Sequence, residues 1–346
     1  MTIAEHDIAA IKAFGYTEDE ARFLYIVATH SGYFLARQFI AFTGVEWGKR
    51  SAKFAQKLES RGHACWREYQ GTGRVYHLFS KTIYSAIGKE NLRNRRRHSS
   101  EFIETRLVLL DFVIENQHYD YLETEQQKIE YFCDQLGLPR NSLPTKAYEG
   151  SSGSAPTLRY FVDKYPLFLA SSRSSLPPVV TFSFVDPGHA SIKAFGTHLE
   201  AYEQLFRQLN EFQFLYVSNS RANFARAEHC FSERIASALS SDISSEILRY
   251  FRLRRAWDLK EYALFSNADI QSLNEATKRF HTERFDGLYS AWSSQQLSAD
   301  AIRGEFSQTG PHRKVGFASH VVRGNGFPVS SLKKGSEVDF TSVLHP

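Results

Sequence analysis

The sequence predicts an α+β fold, and three observations carry that expectation. Helical apolar spacing over residues 17–61 gives way to two short β-rich runs around a glycine-containing loop at 63–79. A long apolar run with helical spacing follows at 102–115. Between 179 and 239 strand-like runs alternate with helical patterns, the strand–helix–strand–helix order of a small α/β domain with at least two parallel strands.

Thr17-Glu18-Asp19-Glu20 is a T-x-x-E capping box with acidic residues in the first turn, so a helix should begin there. Its apolar set is Ala21, Leu24, Tyr25 and Ala28, and Gly32 ends it. A second helix fits residues 35–42, with Leu35, Phe39 and Phe42 pointing inward. Thr43-Gly44 breaks it with the short turn of a helix-turn-helix. A third helix fits 46–61 and stops at Gly62. Phe54, Ala55 and Leu58 form its buried stripe, while Lys49, Lys53 and Lys57 repeat every four residues on another face, with Arg50 near the N-terminal end. Lys and Arg at that end of a recognition helix can meet phosphates or guanine edges; a solvated basic face is the alternative reading.

Residues 63–69 and 74–79, joined by Gln70-Gly71-Thr72-Gly73, read as a hairpin. Arg67 and Arg74 flank its loop. Three helices followed by such a hairpin is the element order of a winged helix-turn-helix, whose wing touches the DNA backbone. Trp47 and Trp66 lie near the same surface; packing beneath the helix or hairpin is favoured over base stacking. His63 and Cys65 have no metal partners at ligand spacing.

Charge supports the same end of the chain. Residues 1–100 carry 16 Lys and Arg against 9 Asp and Glu, a balance of +7, and residues 101–346 carry 26 against 29, a balance of −3. A basic front on a near-neutral body suits phosphate binding. The densest cluster, Arg93-Asn94-Arg95-Arg96-Arg97-His98, is expected on a helix running from 81 to 117, where Arg95, Arg96 and Arg97 would either extend the footprint or form a solvated face. That helix is expected to link the first domain to the second and to carry a dimer contact.

Further along, 123–136 reads as a helix, 140–156 as a polar loop ending in Gly150-Ser151-Ser152-Gly153, and 159–168, 179–185 and 212–217 as strands. Thr197–Leu209 and Asn223–Leu239 read as helices, helical patterns dominate 243–264 and 269–292, and a loose tail is expected from about Gln308. The expected domains are therefore 1–82, 83–140, 141–306 and 307–346.

Several classes are excluded or disfavoured. No stretch approaches the roughly 20 apolar residues of a membrane span, and no secretion signal opens the chain. Cys65, Cys133 and Cys230 are few and far apart, as in a reducing cytoplasm. Neither a phosphate-binding G-x-x-x-x-G-K-[ST] nor a G-x-S-x-G is present, and no cofactor, metal site or catalytic residue is expected. A restriction-type nuclease core needs an acid at one strand end and an acid-x-Lys on the next. Asp186 fits the first place, but the strand from Phe212 to Asn219 has no carboxylate, so Asp186 is read as capping the turn before Pro187. A protein-interaction scaffold is the third reading.

The segments Thr43-Gly44 through Leu58-Glu59-Ser60-Arg61-Gly62 and Gly73-Arg74-Val75-Tyr76-His77-Leu78 resemble the start of the replication-relaxation family of plasmid and integrative-element proteins. By layout the resemblance reaches from residue 1 to 240; by motif it spans 43–78. It implies a winged helix before an α/β domain shaped like a nuclease core without its acids. It further implies a DNA-binding role in replication or transcription of a mobile element, with double-stranded DNA as partner. The expectation is thus a cytoplasmic, homodimeric, sequence-specific DNA-binding regulator.

Overall fold

Thr17 opens the first long helix as its sequence requires: its hydroxyl accepts from Glu20 N at 3.3 Å, and its own N–H donates to the Glu20 carboxylate at 2.8 Å. The computed structural model in which this is seen describes residues 1–44, 48–69, 72–148, 157–162, 165–170, 178–236, 243–307 and 314–323; of Lys49, Ala236, Ile243, Leu264, Phe306 and Ser307 it describes the backbone alone. The chain forms two compact units. One comprises Met1–Phe231 and the described residues from Val315 onward, the other Ser232–Lys314. The expected boundaries at 82/83 and 140/141 both fall inside the first.

In the first unit, α1 (Glu5–Lys12) buries Ile8 and Ile11, and α2 (Glu18–Ile26) runs into a π-turn over Val27–Ser31. Gly32 ends it at φ 82°, and a side chain there would meet the carbonyl oxygen of Asn94 at 2.2 Å. Leu35, expected to start a helix, instead ends a short strand, β1 (Tyr33–Leu35); α3 (Ala36–Thr43) begins one residue later. The reason is the Leu35 N–H, which donates to Gln38 Oε1 at 2.8 Å from an extended backbone, as an N-cap does. Gly44 then turns the chain at φ 65°. The third helix, α4 (Lys49–Ser60), starts later than 46, residues 45–47 lying outside the described ones.

β2 (Ala64–Tyr69) and β3 (Gly73–Leu78) form the expected hairpin, and β3 also pairs antiparallel with β1, in the order β1-β3-β2. One face of this sheet carries Phe34 and Tyr76 toward α2, α3 and α4. The other carries Tyr33, Leu35, Tyr69 and Val75, which pack on Ile103 and Leu107.

The helix expected from 81 to 117 is two helices with an irregular strap between them. α5 (Lys81–Ala86) stops before Gly88, Arg93–Arg95 form one 3₁₀ turn, and α6 (Ser100–Glu115) starts anew behind a Ser99 cap. Asn94 explains the break. Its buried amide donates to the carbonyls of Ala28 and Thr29 at 3.0 and 2.9 Å, which the π-turn leaves without helical partners. A continuous helix could not deliver that side chain there.

α6 is apolar nearly all round, and both its flanks are buried. Ile103 and Leu107 face the three-stranded sheet, while Phe112 meets Phe168 of the second sheet at 5.8 Å. It is the central helix of the unit. The apolar surface expected to link domains and to dimerise is spent inside. Asp111 fastens it to α3 by a two-pronged pair with Arg37, both contacts 2.7 Å, and by accepting from Gln38.

The second sheet has five strands in the order β10-β9-β8-β7-β4. They are β4 (Asp120–Tyr121), β7 (Phe168–Ala170), β8 (Val179–Asp186), β9 (Glu211–Ser218) and β10 (Lys314–Val321). β8 and β9 are parallel, Thr181 opposite Gln213 through Asp186 opposite Ser218, and α8 (Ile192–Phe206) makes the crossover as expected. α7 (Glu125–Ile129) and α9 (Phe224–Phe231) each continue into a π-turn.

Three expectations are corrected here. Residues 145–148 are not loop but β5 (Thr145–Tyr148), paired with β6 (Thr157–Tyr160), so 159–168 is not one strand; the expected glycine-serine loop at 150–156 lies outside the described residues. Lys314–Val321 is a strand beside β9 and not loose tail, while 308–313 and 324–346 lie outside the described residues. The helices expected after 243 do not share a unit with the strands. α10 (Ile243–Asp258), α11 (Asn267–Phe280), α12 (Glu283–Ser293) and α13 (Ala299–Ser307) close around Phe251, Ile247 and Ile302 in the second unit. Among the described residues no helix is long and apolar enough to cross a membrane.

Candidate nucleic-acid interface

The orientation of α4 is set by its apolar side. Phe54 stacks on Phe39 with ring centres 4.2 Å apart, and Leu58 is fully buried. The opposite side is therefore turned out and carries the exposed Lys53, while Arg50, four residues before Phe54, is exposed on the flank toward α2. Arg50 pairs with Asp19 at 2.6 Å, both side chains about half exposed. Such a pair contributes at most about 1 kcal/mol, so a phosphate can take the guanidinium over. Lys53 has no ion-pair partner among the described residues. Lys49 begins the helix, its side chain lying outside the described set, as does Trp47.

Lys57 is a correction. Each four-residue step along a helix advances about 40° around it, and the third lysine swings over α2. There its ammonium pairs with Glu20, the capping-box acid, and sits 5.4 Å above the Tyr16 ring. It joins α4 to α2 and is not available to a groove.

The hairpin arginines are not side by side. In the β2–β3 register Arg67 lies opposite Val75 and Arg74 opposite Glu68, so the two occupy different faces. Arg74 shares the face of Trp66 and Tyr76, the side toward α4, and its guanidinium lies 3.9 Å over the Trp66 ring. Trp66 is half buried against the core, so it packs under the hairpin and props Arg74. Arg67 is on the α6 side.

Arg95, Arg96 and Arg97 are on the strap, not on a helix. Arg95 is half buried and donates to the carbonyl of Glu90 at 3.3 Å. Arg96 is exposed, and its carbonyl accepts from Tyr33 Oη at 3.0 Å. Arg97 is exposed and lines a small hollow with Arg67, His98 and Cys65. The basic residues thus fall in two groups: Arg50, Lys53 and Arg74 on the α4 side of the sheet, Arg67 and Arg97 on the α6 side.

Buried histidines brace this region. His63 Nδ1 lies 2.7 Å from Tyr16 Oη, and its pKa is lowered, first by burial and then by Arg61. His77 stacks on Tyr33 at 4.3 Å, and burial lowers its pKa from 6.5 to about 4, although the Asn94 carbonyl at 3.3 Å works the other way. Below pH 6.5 the unfolded chain therefore takes a proton that folded His77 refuses. Its stability loss begins as pH falls through 6.5 and is complete near 4, at about 1.4 kcal/mol per pH unit. Urea unfolding between these limits should show that slope, and His77→Gln should flatten it; an unchanged slope would assign the loss elsewhere.

Asp186, the acid at the end of β8, is buried and fully occupied. Oδ1 accepts from Gly188 N and Ala190 N at 2.8 and 2.7 Å, and Oδ2 from Tyr216 Oη and Asn223 Nδ2 at 2.8 and 3.1 Å. It caps the turn at Pro187, as its sequence context suggests. Among the described residues no three His, Cys, Asp or Glu side chains are grouped to hold a metal.

Sequence reasoning missed a buried polar cluster formed by α2, its π-turn, Lys89 and Glu123. Lys89 Nζ donates to Tyr25 Oη at 2.7 Å, to Thr29 Oγ1 at 2.9 Å and to the Glu123 carboxylate, which also accepts from Tyr25 Oη at 2.7 Å. Burial pushes the Glu123 carboxyl up, but His30 and Lys89 more than offset that and hold it near about 2. Burial lowers the His30 pKa. These residues span positions 25–123 with no common motif; only the Thr124–Gln127 capping box beside Glu123 is visible in the sequence.

Comparison with protein families, with characterised proteins and with solved structures found no match, so the function of this chain has to be read from its residues and their geometry.

Proposed function

We propose that residues 17–78 form a winged helix-turn-helix that binds double-stranded DNA, with α4 as recognition helix and the β2–β3 hairpin as wing. The observation that carries this reading is the side of α4 left over after packing. Lys53 stands exposed there with Arg50 exposed at its edge, and Arg74 is propped on Trp66 on the same side of the sheet. The order helix, strand, helix, helix, hairpin and the β1-β3-β2 sheet support it. Arg67 and Arg97 lie on the other face and would meet a flanking phosphate strand. The protein would act as a sequence-specific regulator of transcription or replication, and the resemblance to the replication-relaxation group points to a mobile element. We place it in the cytoplasm and propose that it acts as a homodimer, which suits a two-fold operator.

The test is anisotropy of a labelled duplex library across salt concentrations. Arg50→Ala with Lys53→Ala should weaken binding and reduce the salt slope by about 1.8, the value for two lost phosphate contacts. Lys57→Ala should leave that slope unchanged. A double variant with the wild-type slope would remove α4 from the interface, and no affinity at low salt would favour the scaffold reading.

A further inference from the structure

On the α6 side of the three-stranded sheet the hairpin, β1 and the strap enclose a hollow of about 40 Å³. A buried water needs about 10–15 Å³ of such space, so the hollow holds about three waters, or the outer oxygens of one phosphate group. Two exposed arginines line it from different elements. Arg67 stands on β2 between Cys65 and Tyr69, on the same face, because residues two apart on a strand point the same way. Arg97 comes from the strap. Cys65 and His77 are opposite one another in the β2–β3 register. Burial chiefly raises the Cys65 pKa and lowers that of His77, and the charges of Arg97 and Arg67 both act downward on each. The two guanidiniums therefore converge on one place.

The strap fixes Arg97 there. Tyr33 Oη donates to the carbonyl of Arg96 at 3.0 Å and accepts from His98 N at 3.1 Å, so the chain on both sides of Arg97 is tied to β1. The His98 ring stacks on Phe102 at 4.0 Å. Guanidiniums held together in this way repel, and an anion between them removes the repulsion. Among the described residues neither has an ion-pair partner, and the hollow has no carboxylate in its lining. The acids nearest in sequence are turned elsewhere. Glu68 is on the other face, opposite Arg74, and Glu101 lines a separate cleft with Lys146 and His189. The two loop residues after Tyr69 that lie outside the described ones are Gln70 and Gly71, which bring no charge.

We infer that this hollow seats one phosphoryl group between Arg67 and Arg97, whose guanidiniums each offer paired N–H donors. The group is a backbone phosphate of a bound duplex or the phosphoryl group of a small molecule. The first source rests on the DNA reading of α4; the second is independent of it.

The full chain is titrated with inorganic phosphate, with potassium chloride at matched ionic strength as the control, and binding is read by calorimetry and melting temperature. Phosphate should bind saturably and raise the melting temperature beyond chloride. Arg67→Ala and Arg97→Ala should each weaken it about tenfold, while Arg50→Ala with Lys53→Ala leaves it unchanged. Ligand-free melting temperatures show that the variants fold. In the duplex arm, Arg67→Ala with Arg97→Ala should lower the salt slope by about 0.9, the value for one lost phosphate, if the seat takes the DNA backbone. An unchanged slope with phosphate binding that depends on both arginines assigns the seat to a small molecule. Loss of all duplex affinity in the wild type would sink the DNA reading and leave the phosphate titration to decide the seat. No phosphate effect beyond chloride together with an unchanged slope or no duplex affinity, or phosphate binding that both arginine variants keep, overturns the inference.

Discussion

Asp186→Ala should lower the unfolding free energy by about 3–5 kcal/mol, as expected when a buried hydrogen-bonded charge is removed and its partners are stranded. A carboxylate offers about four lone-pair sites, and Asp186 uses all four, two on backbone N–H groups of the turn after β8 and two on Tyr216 and Asn223. Removing it strands donors on three elements at once. It also frees Gly188, held at φ 100° in a backbone that other residues rarely adopt. Asp186→Asn should be milder, because its one oxygen keeps part of the set, yet its amide would face the Asn223 donor. Denaturant midpoints of the two variants check the order. The result also bears on chemistry, since an acid with every lone pair engaged cannot bind a cation without giving up its turn. Mg²⁺-dependent DNA cleavage that disappears in Asp186→Asn while the midpoint stays put would reverse this assignment and establish the nuclease reading.

The sequence was legible wherever the determinants are local. The Thr17 capping box, the stop at Gly62, the hairpin around the 70–73 loop and the β8–α8–β9 crossover depend on neighbouring residues or one short pattern, and each is present. What failed is what distant groups decide. The strap at 93–98 has helical composition, but Asn94 is drawn away by two carbonyls more than sixty positions earlier. Lys57 fits the basic spacing of α4, but only the placement of Glu20 shows that its charge is spent. Lys314–Val321 reads as tail because Gly316 and Ser319 dilute its apolar pattern, and its strand character comes from the free edge of β9. In the candidate interface the residue types could be read from sequence. The division of Arg67 from Arg74 could have been found from hairpin register alone, since positions seven apart across this loop fall on opposite faces.

Lys89→Met and Glu123→Gln should each cost about 3–5 kcal/mol, and the double variant less than their sum. Both side chains are at least nine-tenths buried, and each is the other's counter-charge. Losing one leaves a desolvated ion, whereas losing both removes the need for compensation and leaves Tyr25 and Thr29 to pair locally. The pH dependence separates this pair from the histidines. The Glu123 carboxyl titrates near about 2 in the folded chain, against an ordinary 4.5. Its contribution is present above 4.5 and is lost as pH falls toward 2, below the window in which His77 acts. In Lys89→Met the carboxyl keeps its burial but loses a cation, so its folded pKa rises toward 4.5 and the acid loss between 4.5 and 2 shrinks. A set of denaturation curves from neutral pH to about 3 on the four members of the cycle decides the matter. Additive costs, or an acid limb that Lys89→Met does not move, would mean that Lys89 serves Thr29 and Tyr25 while His30 alone compensates Glu123. A non-additive cycle with a shifted limb makes the pair the clamp between α2 and the strap.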